Sequence, residues 1–163
     1  ALEGAKDVVQ CLAARGVQST AASGVNAAEA GSDGGVVLGV LTGNLETLVA
    51  PKLAAAGIAA DNFAVGAYGS DHPDRNELPA IAVARAETRV GRSILPEEVV
   101  VVGDTPLDVL CAQGFGAASV AVASGDYTYE ELSCLAPTCV LSNLRAWDRA
   151  EREAGLGATG EET

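Results

Sequence analysis

The stretch Val99-Val100-Val101-Val102-Gly103-Asp104-Thr105-Pro106-Leu107-Asp108 decides how the chain is read. Four consecutive β-branched residues predict a strand buried on both faces, as in the middle of a parallel sheet. Gly103 ends the run, and Thr105 and Pro106 open a helix as its N-cap and first residue. Asp104 therefore leaves the carboxyl end of a buried strand, and Asp108 lies in the first turn of the next helix. Open α/β sheets bind their ligands over that edge. Two carboxylates there suit a hard divalent cation such as Mg2+, which takes oxygen ligands and shares them with phosphate. Asp108 also has the spacing to cap its own helix, so a structural role competes for it. Asp104 is harder to explain that way, because a carboxylate after an apolar strand must be solvated, paired or bound to a cation.

Strand and helix alternate on either side of this stretch. A helix is predicted over 2–15 from the spacing of Val8, Val9 and Leu12, with Gly16 as its C-cap. Residues 16–35 are rich in Ser, Ala and Gly, show no period, and read as a low-complexity surface insertion. A buried strand over 36–41 ends in Thr42-Gly43-Asn44, and a helix over 45–56 is stopped by Gly57. A short strand over 63–67 leads into the polar loop Ser70-Asp71-His72-Pro73-Asp74-Arg75-Asn76, and a helix follows over 77–90. After the valine strand come a helix over 107–113 with Gly114 as left-handed cap, a strand over 118–123 and a helical turn over 129–132. A strand over 138–141 and a helix over 144–153 complete the core, and the tail from 155 is expected to fray. This alternation predicts one α/β domain over 1–154, a parallel sheet covered by helices on both faces.

Composition narrows the classes. At 163 residues the chain can bury a real core, but aromatics make up only 4%, so that core is expected from Ala, Val and Leu. A net charge of −12 argues against nucleic acid or an anionic membrane as partner, since both select basic surfaces. No apolar run approaches the ~20 residues of a membrane span. Cys11, Cys111, Cys134 and Cys139 contain no C-x-x-C pair, which disfavours zinc. Cys11 and Cys111 fall in helical apolar patterns and are expected as small buried hydrophobes, while a Cys134–Cys139 disulfide is left open. Reduced cysteines agree with the cytoplasm or an organelle stroma. The chain contains no methionine, which fits a piece of a longer protein.

Three polar clusters follow strands: Thr42-Gly43-Asn44, the loop from Asp71 to Asn76, and Asp104 with Asp108. In a parallel sheet all such ends share one edge, so the clusters should converge. A hydroxyl, a guanidinium and two carboxylates at one edge form a phosphate-plus-metal site. Each also has a plain reading: a turn and N-cap for Thr42 to Asn44, a solvated charge for Arg75, a surface polar group for His72.

The segments Leu41-Thr42-Gly43-Asn44, Asp71-His72-Pro73-Asp74-Arg75-Asn76-Glu77-Leu78-Pro79 and Val102-Gly103-Asp104-Thr105-Pro106-Leu107-Asp108 resemble the haloacid dehalogenase (HAD) superfamily of hydrolases, in particular its phosphoglycolate-phosphatase-like members. The resemblance implies a Rossmann-like core and a Mg2+-dependent phosphohydrolase acting on a small phosphorylated substrate. By that similarity Thr42, with Gly43 and Asn44, binds the transferring phosphoryl, Asp104 and Asp108 hold Mg2+, and Arg75 stands in for the basic residue that neutralises the phosphoryl. The first motif of the superfamily, Asp-x-Asp-Gly-Thr, supplies the nucleophile and is absent here. Asp33-Gly34-Gly35 follows no strand, and Asp71-His72-Pro73-Asp74 has the wrong spacing. The resemblance therefore implies a core lacking its first, central strand, with the nucleophile in an N-terminal segment outside this chain. The chain alone is expected to be inactive. A non-catalytic relative that binds a phosphorylated ligand or a protein partner is the alternative. Dehalogenation, which uses no Mg2+, is disfavoured by Asp104 and Asp108.

Overall fold

The computed structural model describes residues 3–16 and 35–155, so all but the ends of the expected insertion, and the tail beyond 155, lie outside the described residues. Five short strands are present: β1 (Gly39–Thr42), β2 (Val65–Tyr68), β3 (Val100–Gly103), β4 (Ala118–Val122) and β5 (Cys139–Leu141). The helices are α1 (Ala5–Ala14), α2 (Val49–Ala55), α3 (Leu78–Val90), α4 (Pro106–Phe115), α5 (Tyr129–Ser133) and α6 (Trp147–Glu153). Every strand pairing is parallel.

Side-chain alternation along β4 divides the core into two layers, as a strand covered on both faces requires. Val120 and Val122 point to one face, where they pack with Leu12 of α1 and Trp147 and Ala150 of α6. Ala121 points to the other, against Val109 of α4 and Leu132 of α5. Trp147, the only tryptophan, is buried and adds an aromatic anchor to a core of aliphatic residues and two cysteines.

The strands form two separate sheets, β1-β2 and β3-β4-β5, and among the described residues no ladder joins β1 to β3. The hydrogen bonds show what each inner edge presents. Ala118 donates to the Val99 carbonyl and Ala64 to the Leu38 carbonyl. Because a strand residue sends its N–H and C=O to the same side and its neighbour to the other, Val100 and Val102 turn their backbone groups away from β4. Gly39 and Leu41 likewise turn theirs away from β2. The halves still touch, since Leu41 packs against Val101, Cys111 and Ala112. Among the described residues the lane between these two inner edges is unpaired. The valine strand departs from expectation: Val101 is buried, but Val102 is 40% exposed, so the strand is not covered on both faces.

Other local expectations shift for physical reasons. Arg15, not Gly16, caps α1, and Gly16 instead forms a parallel bridge with Val36. Gly114 stays helical, and α4 ends at Gly116, whose φ of 87° is left-handed. That conformation lets the Ala117 N–H close onto the Ala112 carbonyl, at 2.9 Å. The helices expected to start at 45, 77 and 144 each begin with a 3-10 turn, Glu46–Leu48, Arg75–Glu77 and Leu144–Ala146. Cys11 is exposed rather than buried, because it sits off the Leu12 face of α1, whereas Cys111 is buried as expected. Cys134 and Cys139 are free thiols, the first exposed and the second buried. No described helix is long and apolar enough to cross a membrane.

Candidate phosphate and metal site

Thr42 ends β1, Asp104 follows β3, and Asp108 lies in the first turn of α4, so each leaves a carboxyl end of the two sheets. Arg75 ties the two sides together. One of its terminal nitrogens donates to Asp108 Oδ1. The other lies 3.8 Å from where a methyl group on Gly43 would sit, beside the tip of β1. The guanidinium thus spans the mouth of the unpaired lane. Its Nε is buried and makes no hydrogen bond among the described residues, leaving a donor unspent.

Asp108 is 6% exposed, and its carboxylate is fully engaged. Oδ1 takes Arg75, and Oδ2 accepts from the Thr105 N–H at 3.0 Å and the Thr105 hydroxyl at 2.8 Å. The capping role and the ion pair therefore coexist in one side chain. Gly103 makes this possible: a methyl group there would sit 2.1 Å from Asp108 Cγ, so only glycine lets the carboxylate lie against the strand tip.

Asp104 is half-buried and accepts no hydrogen bond among the described residues. Its Oδ2 lies 2.6 Å from where a Gly125 methyl group would be, so the loop after β4 borders it closely. An uncommitted carboxylate at a strand tip suits a hard cation. The described residues contain no group of three or more His, Cys, Asp or Glu side chains that could hold a metal. The donor set on hand is thus Asp104, with Asp108 available only in exchange for Arg75, and Mg2+ would complete its shell with water and phosphate oxygens.

At the tip of β1 the Thr42 hydroxyl accepts from the Asn44 N–H at 3.2 Å and from Asn44 Nδ2 at 2.9 Å. Lys52 Nζ donates to Asn44 Oδ1 at 3.0 Å. Sequence reading missed Lys52, since a lysine inside a helix carries no motif. The loop bearing Arg75 is fastened separately. Arg85 of α3 grips Asp71 with both terminal nitrogens, at 2.7 and 2.8 Å, and also donates to the Gly66 carbonyl. The Arg85 bond first, then the Tyr68 N–H, hold the Asp71 carboxyl below its usual range. Asp74 caps the turn through the Asn76 N–H at 2.9 Å, and His72 Nδ1 accepts from the Asp74 N–H at 3.1 Å. His72 thus bonds within its own loop.

Residues 77–147 match the family model described as HAD-hydrolase-like, a span that includes Asp104 and Asp108 but not Thr42 or Arg75. No curated protein matches the sequence significantly. Among solved structures, a candidate phosphatase from Clostridium difficile superposes with a TM-score of 0.69 at 20% identity, over 91% of this chain and 59% of that one. A predicted phosphoglycolate phosphatase from Haemophilus somnus gives 0.65 at 21% identity, over 91% and 56%. A HAD family hydrolase from Deinococcus radiodurans, solved with bound phosphate and sodium, gives 0.61 at 23%, over 98% and 62%. The chain therefore spans less than two thirds of the length of these structures. The fold is Rossmann-like and HAD-like, and the sequence resembles that superfamily of hydrolases.

Proposed function

We propose that this chain supplies the phosphate- and cation-binding part of a phosphohydrolase site. The reaction is hydrolysis of a small phosphate monoester through an aspartyl-phosphate. The attacking aspartate is carried on a strand that fills the lane between β1 and β3 and lies outside these 163 residues. The unpaired inner edges of β1 and β3 carry this reading, since Thr42 ends the one strand and Asp104 follows the other. Thr42 donates its hydroxyl proton to a phosphoryl oxygen, and Arg75 neutralises the phosphoryl through the donors Asp108 leaves free. Asp104, with Asp108, would hold Mg2+, which when bound would screen the charge between phosphoryl and carboxylate. Without the nucleophile, this electrostatic help yields little turnover.

A second reading, a non-catalytic protein that binds a phosphorylated ligand, draws support from Asp108, whose oxygens are both already satisfied. Two assays separate the readings. Calorimetric titration with inorganic phosphate should show binding strengthened by Mg2+ and weakened about tenfold or more by Thr42→Val and by Asp104→Asn. Binding indifferent to both substitutions would refute the site. In the protein that includes the lane-filling strand, an aryl phosphate should be hydrolysed with Mg2+ and spared by the Asp104→Asn variant. Absence of turnover there favours the non-catalytic reading.

A further inference from the structure

Lys52 of α2 and two polar side chains at the tip of β1, Asn44 and Thr42, form a one-way chain of hydrogen bonds. We infer that Lys52 is a positioning residue that, through Asn44, aims the Thr42 hydroxyl proton outward at a bound oxyanion. The inference rests on the phosphate-binding reading of Thr42 and adds to it the group that sets the direction of that proton.

Lys52 Nζ can only donate, so the Asn44 atom 3.0 Å from it must be the carbonyl Oδ1. That fixes the amide, whose two faces would otherwise be interchangeable, with Nδ2 toward Thr42. Nδ2 can only donate, and at 2.9 Å it fills one acceptor position of the Thr42 oxygen. The Asn44 backbone N–H, at 3.2 Å, fills the other. A hydroxyl has two acceptor positions and one donor. With both acceptor positions taken, Thr42 has only its proton left to offer, and the partner it needs is an acceptor such as a phosphoryl oxygen. If the amide were reversed, Oδ1 would capture that proton and the hydroxyl would be lost to the ligand.

The test is a double-mutant cycle on inorganic phosphate affinity, measured by calorimetry with Mg2+ present. Lys52 is exposed on α2, and methionine has a similar helix propensity, so the Lys52→Met variant should keep its fold. Expected are a loss of about tenfold for Thr42→Val, a loss of about three- to tenfold for Lys52→Met, and no further loss when Lys52→Met is added to Thr42→Val. The loss from Lys52→Met should also persist in 0.5 M salt, a concentration chosen because it shortens screening to roughly 4 Å. Additive losses, or a Lys52→Met effect that salt removes, would show that Lys52 acts only through its charge and would overturn the inference. Solvent exchange of the Asn44 side-chain amide protons, followed by 15N NMR, decides the matter without phosphate. Lys52→Met should speed exchange at Nδ2, although Lys52 bonds only to Oδ1. Unchanged exchange overturns the relay, whereas faster exchange in Lys52→Met together with no phosphate binding by the wild type overturns only the proposed function.

Discussion

Replacing Arg75 with methionine removes the group that spans the two halves of the sheet. It leaves Asp108 6% exposed and charged, with only the two Thr105 bonds to its Oδ2. Breaking a buried pair by deleting one partner costs about 3–5 kcal/mol, because the remaining charge stays desolvated. Arg75 is itself a quarter exposed and Thr105 keeps part of the carboxylate satisfied, so the low end applies, about 3 kcal/mol. For a chain of this size that lowers Tm by about 6–12 °C. Differential scanning calorimetry reads this directly, and adding Asp108→Asn should restore half or more of the loss by removing the stranded charge. A drop under about 2 °C, or a double variant whose loss is the simple sum of the two, would refute a buried, coupled pair.

The Gly103→Ala variant places a methyl group 2.1 Å from Asp108 Cγ, so the carboxylate must swing away from Arg75 and Thr105. The expected loss by urea unfolding is about 3 kcal/mol in the wild type, and much less in the Arg75→Met background, where the pair is already gone. Thiol titration at pH 8 should label Cys11 and Cys134 quickly. Burial pushes the Cys139 thiol up to about 11 and raises Cys111 as well, so these two should react only on unfolding. Four fast thiols would contradict the packing of β5 and α4. The Asp71 carboxyl is lowered below its ordinary 3.8, chiefly by Arg85. Its contribution to stability is therefore present above that value and is lost as pH falls through it toward the lowered one. The stability difference between wild type and Asp71→Asn should shrink as acid denaturation is followed below about pH 4.

Local chemistry made much of this legible in the sequence. The valine run, the Thr105-Pro106 helix start and the alternation of strands and helices follow from backbone sterics and burial, which act over a few residues. That Arg75 lies between Asp108 and the tip of β1 follows the same logic, because parallel pairing sends all carboxyl ends to one edge. What escaped was the spending of hydrogen-bond capacity. Four valines look the same whether a strand lies beside them or not, so the exposure of Val102 could not be read from them. Asp108 looked available for a cation, but its burial beside Gly103 commits it to Arg75 and Thr105. Lys52 was invisible because its role depends on α2 folding back beside Asn44. The choice of Gly116 over Gly114 turned on which glycine lets Ala117 reach Ala112, a contact that propensity alone does not rank.

Amide hydrogen exchange resolved by NMR tests, residue by residue, whether the inner edges of β1 and β3 are unpaired. Val102 and Leu41, whose N–H groups face the lane, should exchange far faster than Val101 and Val40, whose N–H groups face β4 and β2. Equal, strong protection at Val102 and Val101 would mean that β3 already has a partner on that side, and the place proposed for the attacking aspartate would be gone.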